Sequence, residues 1–243
     1  MVRLSVGDDR ARVRAVISLK SLVQESSAIL LDFDGPVCRL FSAVPAPEIA
    51  GEIRSLLHEK SVRVPEPMMT VGDPLALLRW VGKSSPHLLP EVERIQVESE
   101  VEAARLAEPT SGAAELVRSS TAHGRPVVIV TNNSAEAVEV YLDRLSLTAC
   151  VTGISARITG RPDLMKPDAH LVLRGADIAG TSPSACVLIG DSSTDMQAAK
   201  KAGARCIGYA KSDARASELS AAGADVVVRS MDSVADVTAQ LEG

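Results

Sequence analysis

The sequence predicts an α/β fold in which a doubly wound parallel sheet carries an all-helical insert. Short apolar runs recur along the chain without alternating polar residues, and each run ends in polar residues or glycine. Such runs are typical of strands that are buried on both faces of a parallel sheet. Helical patterns follow the runs, and this alternation of strand and helix indicates an α/β fold.

The predicted core elements follow in chain order. Apolar residues at roughly helical spacing predict a helix over residues 12–25, and the first strand is predicted at residues 28–31. Four later strands are predicted within residues 126–133, 185–192, 204–210 and 224–230. The helices after them are predicted at residues 134–145, 194–202, 214–222 and 233–241. This pattern predicts a Rossmann-like sheet, whose ligands bind outside the carboxyl ends of the strands.

Residues 39–110 interrupt the strand–helix pattern. They contain no β-branched strand run, only helical patterns at residues 47–59, 74–82 and 88–107 with proline-rich joints between them. The sequence therefore predicts an α-helical cap domain at 39–110, which we call the helical insert. It would be placed into a core formed by residues 1–38 and 111–243.

The composition of the chain limits the classes of function that are expected. The net charge is −5, charges of both signs are interspersed, and aromatic residues make up only 2% of the 243 residues. A nucleic-acid binder usually shows a basic face and aromatic stacking platforms, so a small soluble ligand is expected instead. No apolar run has signal-peptide or membrane-span length, and the four cysteines lack CxxC or zinc-ligand spacing. These features predict a cytoplasmic protein that engages neither membrane nor nucleic acid.

Two acids, Asp32 and Asp34, directly follow the first predicted strand. Residues i and i+2 of an extended chain point the same way, so their carboxylates converge and repel unless a cation or a shared proton offsets them. A hard divalent metal with oxygen ligands suits such a pair, and Gly35 lets the chain turn after it. A simple polar turn is the alternative. Cys38 is a second candidate nucleophile, but no histidine lies near it in sequence to activate it.

Three further polar clusters follow strands or precede helices. Thr131-Asn132-Asn133 could bind an anionic oxygen or cap the next helix, and Lys166 could balance negative charge or simply be solvated. Asp191 and Asp195 bring two more carboxylates to a strand end. One of them could cap the following helix, but a metal site explains both.

Taken together, these clusters resemble the four motifs of the haloacid dehalogenase superfamily. The matching segments are DFDG at 32–35, VTNN at 130–133, KPD at 166–168 and GDSSTDMQAAKKAG at 190–203. The helical insert after the first motif resembles the small α-helical cap of phosphoglycolate-phosphatase-like members. Pro36 departs from the Thr or Val that usually follows the motif glycine, which places the local geometry after Asp34 in question.

The resemblance implies a Mg²⁺-dependent phosphatase that hydrolyses a small phosphomonoester, such as a sugar phosphate, through an aspartyl phosphate. By resemblance, Asp32 is the nucleophile and Asp34 the acid–base group, a residue that dehalogenating members lack. The Mg²⁺ would be held by Asp32, the backbone carbonyl of Asp34, Asp191 and Asp195. The phosphoryl oxygens would be bound by Thr131 and the Asn132 amide, with Lys166 as a further catalytic and phosphate-binding group.

Two alternatives to a phosphatase stay open at this point. A phosphosugar mutase would transfer the phosphoryl group instead of releasing it, and a regulatory module would bind phosphate without turnover. The substrate is not named by the sequence, and the chain is expected to be a monomer or homodimer. Candidate specificity residues lie in the helical insert: Arg39, Arg54, His58, Arg63, Arg79, Trp80, Lys83 and His87.

Overall fold

The computed structural model describes residues 18–242 of the chain. The described part begins at Ser18, which caps helix α1 (Leu19–Gln24) through its side chain. The remainder of the helix predicted over 12–25, residues 12–17, lies outside the described residues. Among the residues that are described, no helix combines the length and the apolar character that a bilayer crossing requires.

The strands form two sheets. In chain order they are β1 (Ala28–Leu31), β2 (Cys38–Arg39), β3 (Glu108–Pro109), β4 (Val127–Val130), β5 (Gly153–Ser155), β6 (Cys186–Gly190), β7 (Arg205–Tyr209) and β8 (Val226–Val228). Six of them build a parallel sheet in the order β5-β4-β1-β6-β7-β8, while β2 and β3 pair antiparallel as a short ribbon. The predicted doubly wound α/β fold is confirmed.

The central strand explains why the apolar runs do not alternate. All four residues of β1 are buried, and they pair in register with β4 on one side and β6 on the other. Ile29 and Leu31 pack in one apolar cluster, whereas Ala28 and Leu30 pack in another. Since successive side chains of a strand point to opposite faces, helices cover both faces of this sheet.

Eleven helices accompany these strands in the described part of the chain. After α1 they are α2 (Ala46–Glu59), α3 (Glu66–Thr70), α4 (Pro74–Ser84), α5 (Leu89–Leu106), α6 (Ala113–Ala122), α7 (Ala135–Arg144), α8 (His170–Ile178), α9 (Ser193–Ala202), α10 (Asp213–Ala222) and α11 (Met231–Glu242). The predicted helices that fall on described residues are present, with ends that shift by at most two residues.

The helices between β2 and β3 have an apolar cluster of their own. Leu57 of α2, Leu77 of α4 and Val92 of α5 are buried together in it, and Trp80 packs against it half-buried. The chain enters and leaves this region through the β2–β3 ribbon, where Cys38 pairs with Pro109. An independent core of this type supports a separate helical insert. Its boundaries at 39 and 110 stay a prediction.

The order of the strands in the sheet determines where a ligand site is expected. β1 lies between β4 and β6, so the chain reverses its direction of winding at β1. The carboxyl ends of these three neighbouring strands form the crevice where ligands of such sheets bind. Asp32, Thr131 and Asp191 are the residues that directly follow β1, β4 and β6.

Candidate active site

A cavity of about 420 Å³ lies between the carboxyl ends of the strands and the helical insert. We call it the active-site cavity. Its core-side lining contains Asp32, Asp34, Thr131, Asn132, Asn133, Lys166, Asp191, Ser192 and Thr194. Its insert-side lining contains Phe41, Ala46, Gly72, Asp73, Pro74, Leu75 and Arg79. The structure therefore brings the predicted polar clusters together, with Asp195 buried behind Asp32.

Lys166 is the electrostatic centre of the site. Its Nζ lies 2.7 Å from Asp32 Oδ1, 2.5 Å from Asp195 Oδ1 and 2.9 Å from the Val130 carbonyl oxygen. Burial alone would lower the pKa of this amine, but the carboxylates of Asp195 and Asp32 outweigh burial and raise it above its usual range. Lys166 therefore stays protonated and holds the Asp32 carboxylate in one orientation.

Three carboxylates form a site suited to a metal ion. Asp32, Asp191 and Asp195 each offer an oxygen, and these oxygens lie within 4.8 Å of one another. One lysine offsets only part of this charge, and burial raises the pKa of Asp32 well above its ordinary value. Burial, reinforced by Asp195 and Asp34, also raises the pKa of Asp191 to about 7. Hard oxygen ligands with unbalanced negative charge fit a divalent cation such as Mg²⁺.

Asp195 has two roles, as a helix cap and as a member of the carboxylate cluster. Its Oδ2 accepts hydrogen bonds from the Ser192 backbone N at 3.0 Å and the Ser192 hydroxyl at 2.6 Å, which closes a capping box at the start of α9. Its Oδ1 faces Lys166. Capping and a place in the carboxylate cluster, which the sequence presents as alternatives, thus coexist in one side chain.

Two glycines permit the close approach of these groups. A Cβ on Gly35 would lie 2.4 Å from Asp191 Oδ2, and one on Gly190 would lie 2.4 Å from Asp195 Cγ. Gly35 also has φ of +104°, a conformation that residues with a side chain rarely adopt. The glycine in the first motif is therefore required by contact as well as by backbone conformation.

Asp34 has surroundings different from those of Asp32. Its Oδ1 accepts a hydrogen bond from the Leu40 backbone N at 2.9 Å, and it has no place in the three-carboxylate cluster. Burial raises the pKa of Asp34, and the negative charges of Glu100 and Asp195 add to that effect. A carboxyl group with a raised pKa that lines a cavity is suited to proton transfer.

The turn after Asp34 accommodates Pro36 without strain on its hydrogen bonds. The N–H groups of Val37 and Cys38 both donate to the Phe33 carbonyl, and the Gly35 N–H donates to the Cys38 carbonyl. Pro36 thus occupies the position of this turn where no donor is used. Burial raises the pKa of the Cys38 thiol, so the alternative in which Cys38 is the nucleophile finds no support.

Residues 131–134, which we call the polar loop, are held by many hydrogen bonds. The Thr131 hydroxyl donates to Asn133 Oδ1 at 2.9 Å and accepts from the Asn133 N–H at 3.1 Å. The Asn132 side chain binds both backbone groups of Lys166, at 2.8 Å and 3.1 Å. Ser134 caps α7 through its side chain, so the cap is not one of residues 131–133, to which the sequence offers that role as an alternative. The loop is thereby fixed against the lysine that contacts Asp32.

Two residues of the site region are missed by the sequence analysis. Glu100 of α5 and Arg157 after β5 form a buried ion pair behind the polar loop. The available signal is the pattern of α5, where Gln96 and Glu100 interrupt the buried stripe that ends in Ala103 and Ala104. Polar residues on the buried face of a helix indicate specific partners.

Of the eight candidate specificity residues, Arg79 is the one whose side chain lines the active-site cavity. Its Nη2 donates to the Lys166 carbonyl at 2.7 Å, and burial lowers the pKa of the guanidinium from its ordinary value. Lys83 is exposed and borders a second cleft of about 1180 Å³. That cleft is larger, but the carboxylate cluster does not line it, so chemistry is assigned to the smaller cavity.

The raised pKa of Asp191 predicts how the metal-free protein responds to pH. Its pKa rises from 3.8 to about 7 on folding, so the folded chain binds a proton more tightly than the unfolded chain. The free energy of unfolding therefore falls as pH rises between those values, and the loss is complete above the higher one. Bound Mg²⁺ would offset this loss.

We therefore expect Mg²⁺ to raise the melting temperature more at about pH 8 than at about pH 5.5, relative to samples with EDTA. Differential scanning fluorimetry at both pH values measures the effect. Asp191→Asn should lose most of the pH dependence and most of the Mg²⁺ response. An equal Mg²⁺ effect at both pH values in the wild-type protein would contradict this prediction.

The fold and the site define an α/β protein with an acidic centre at the switch point of its sheet. The family model for haloacid dehalogenase-like hydrolases matches residues 27–203, well over half of the chain. The chain therefore belongs to the haloacid dehalogenase-like hydrolases, as the motif resemblance predicts. No curated protein matches the chain.

Solved structures of related architecture support the same fold. A hydrolase from Pseudomonas syringae has a TM-score of 0.64 and 20% identity, covering 86% of this chain and 96% of that chain. CbbY from Rhodobacter sphaeroides, in complex with phosphate, has a TM-score of 0.63 and 21% identity over 85% and 95%. A HAD family hydrolase from Deinococcus radiodurans, with bound phosphate and sodium, has a TM-score of 0.58 and 24% identity over 90% and 98%.

Proposed function

We propose that this hydrolase is a Mg²⁺-dependent phosphatase that cleaves a small phosphomonoester through an aspartyl phosphate on Asp32. The observation that carries the proposal is that Lys166 forms ion pairs with both Asp32 and Asp195. Asp32, Lys166 and the neighbouring Asp191 line a cavity that residues of the polar loop also line. A carboxylate attacks a dianionic phosphate poorly unless nearby positive charge offsets the repulsion. Lys166 supplies part of that charge.

The proposed hydrolysis has two steps, formation of the aspartyl phosphate and its hydrolysis. In the first, an Asp32 oxygen forms a bond to phosphorus while the bond from phosphorus to the ester oxygen breaks. Asp34 gives its proton to the departing alkoxide, which leaves as a neutral alcohol. In the second, Asp34, now ionised, takes a proton from water as the water oxygen attacks phosphorus, and inorganic phosphate and the free Asp32 carboxylate result.

The surroundings of the two acids support this division of roles. Lys166 holds Asp32 ready for attack, and the raised pKa of Asp34 favours the protonated form of a group that borders the cavity. Asp32, the backbone carbonyl of Asp34, Asp191 and Asp195 would hold Mg²⁺, which when bound neutralises negative charge on the phosphoryl oxygens. The Thr131 hydroxyl and the Asn132 backbone N–H are proposed to bind those oxygens.

The cavity supports a small phosphorylated metabolite as the substrate. A volume of about 420 Å³ is in the range of small-molecule sites and accommodates a sugar phosphate. CbbY from Rhodobacter sphaeroides has been solved with phosphate and, as a variant, with xylulose-1,5-bisphosphate. We propose a ligand of the same general class here, and a small helical cap of the phosphoglycolate-phosphatase-like type. An oligomeric state of monomer or homodimer stays a prediction.

A phosphate-release screen tests the proposed function. The full-length protein would be incubated with a panel of phosphorylated metabolites, with Mg²⁺ or with EDTA, and kcat/KM determined for each. Mg²⁺-dependent phosphate release from at least one sugar or carboxylate phosphate is expected. Isomerisation of a sugar phosphate without phosphate release would indicate a mutase instead. Tight phosphate binding with no turnover across the panel would indicate a regulatory module.

Arg79 is expected to contribute to substrate binding more than to chemistry. It is the cation that the insert places in the cavity, so it can contact the part of the substrate beyond the phosphoryl group. Arg79→Ala should raise KM by about tenfold with a smaller change in kcat, and Arg79→Lys should restore only part of the loss. Steady-state kinetics on the best substrate of the screen measures both constants.

Arg54→Ala is the matched control for this substitution. Arg54 is a half-buried arginine of the same insert, and its Nη1 also donates to a backbone carbonyl, that of Val71, at 2.7 Å. It does not line the active-site cavity. Equal changes of KM in Arg54→Ala and Arg79→Ala would show that the effect comes from the stability of the insert and not from contact with substrate.

A further inference from the structure

A buried ion pair supports the polar loop from behind. Glu100 lies on α5 of the insert and Arg157 follows β5, and their side chains are 0% and 3% exposed. Arg157 Nη1 lies 2.9 Å from Glu100 Oε1, and Arg157 Nη2 lies 3.1 Å from Glu100 Oε2. A bidentate pair of this kind fixes the relative orientation of both groups.

Both members of the pair also contact the polar loop. Glu100 Oε1 accepts from Asn133 Nδ2 at 3.1 Å, and Glu100 Oε2 accepts from the Ser134 backbone N at 2.8 Å. Arg157 Nη1 donates to the Asn132 carbonyl at 2.8 Å. Three consecutive loop residues are therefore held by one carboxylate and one guanidinium. Neither of the two groups is among the described residues that line the active-site cavity.

The contacts continue from the loop to the reacting groups. The side chain of Asn132 binds the backbone of Lys166, and Lys166 Nζ contacts Asp32. We propose that Glu100 and Arg157 are a positioning pair, which holds the polar loop in the geometry that binds phosphoryl oxygens. This inference rests on the proposed function, because it assigns the loop to phosphate.

A contribution to the stability of the fold does not by itself explain why a buried ion pair stands at this position. Removing two charges from water costs free energy that their attraction often fails to return, and apolar residues of similar volume often stabilise such a position equally well. The Glu100 carboxylate accepts hydrogen bonds at both oxygens, and two of its donors belong to the polar loop. The arrangement specifies where the loop lies, and this requires the charges.

The test is to measure phosphate affinity in Glu100→Gln, a substitution that keeps the shape of the side chain and removes its charge. Binding of inorganic phosphate in the presence of Mg²⁺ would be followed by calorimetry and by competitive inhibition. We expect affinity about tenfold weaker and kcat/KM about 10–100-fold lower, as for other buried residues that orient a site through a second residue.

Glu93→Gln is the matched control. Glu93 is a second buried glutamate of α5, and it accepts hydrogen bonds from the Gly160 N–H at 2.9 Å and 3.0 Å, in the segment that follows Arg157. It makes no hydrogen bond to the polar loop. Phosphate affinity and kcat/KM should stay within about twofold of wild type in this variant.

Arg157→Lys keeps the positive charge but loses the bidentate geometry, and it provides the test if Glu100→Gln does not fold. The same loss of phosphate affinity is expected in it. A folded Glu100→Gln or Arg157→Lys protein that melts earlier yet binds phosphate and turns over like wild type would overturn the positioning role. If the wild-type protein binds phosphate but hydrolyses nothing, the proposed function fails while the pair is still judged by phosphate affinity. If it binds no phosphate, both fail.

Discussion

Asp32→Asn is expected to abolish turnover while leaving the protein folded. The amide cannot form the bond to phosphorus, and loss of the nucleophile in a covalent mechanism lowers kcat by a factor of about 10⁴ or more. Phosphate release from the best substrate and from a generic aryl phosphate measures the effect. No phosphorylated protein should be detected by mass spectrometry after rapid acid quenching of this variant.

The structure predicts that this substitution does not destabilise the fold. Burial raises the pKa of Asp32, and the charges of Asp195 and Asp191 raise it further. A negative charge on Asp32 is therefore unfavourable in the folded protein, even with Lys166 beside it. A neutral amide removes that repulsion, and Lys166 keeps its contacts with Asp195 and the Val130 carbonyl.

Asp213→Asn serves as the control for this experiment, since Asp213 is an exposed residue of α10 that does not line the cavity. It should retain wild-type turnover. Normal turnover in Asp32→Asn would refute the nucleophile assignment, and a large fall in its melting temperature would refute the argument from charge repulsion.

Asp34→Asn is expected to lower kcat by about 10²–10⁴-fold on alkyl phosphates, because the leaving alkoxide then receives no proton from the protein. Aryl phosphates have leaving groups that depart without a proton, so their first step should be affected less. Their second step still needs a base to activate water. The variant should therefore accumulate phosphorylated Asp32 with aryl substrates, and a burst of released phenol should precede slow turnover.

Stopped-flow measurement of phenol release distinguishes the two steps. Wild-type protein under the same conditions is the reference, and Asp73→Asn is a control, because Asp73 also lines the cavity but its side chain caps α4 through the Leu75 N–H. An equal loss on alkyl and aryl substrates without a burst would show that Asp34 acts on geometry alone.

Much of the site could be predicted from sequence because parallel strands align their carboxyl ends. Asp32, Thr131 and Asp191 each follow a strand, so their convergence needs only the strand order that a doubly wound sheet imposes. Lys166 does not follow a strand, and its place beside Asp32 was available only through the resemblance to a family. Its contacts depend on how the chain between β5 and α8 folds back over the sheet edge.

Other features could not be predicted because they depend on tertiary packing. Strand β5 has three residues, too few for a pattern, and its Gly153 has low strand propensity. Arg79 could not be chosen among the eight insert candidates, since the face of α4 that meets the cavity is set by packing between helices. Glu100 accepts a hydrogen bond from Gln96 one helical turn away, but its partners in the polar loop and Arg157 lie 33 to 57 residues away in sequence, and no local pattern identifies those contacts.

The position of Trp80 makes the helical insert visible to spectroscopy. It is the single tryptophan of the chain, and it packs half-buried in the apolar cluster of α2, α4 and α5. Both tyrosines, Tyr141 and Tyr209, belong to the apolar cluster of the sheet. With excitation at wavelengths that tyrosine does not absorb, the emission of the unlabelled protein therefore reports the insert alone. Unfolding of the sheet can be followed separately through circular dichroism.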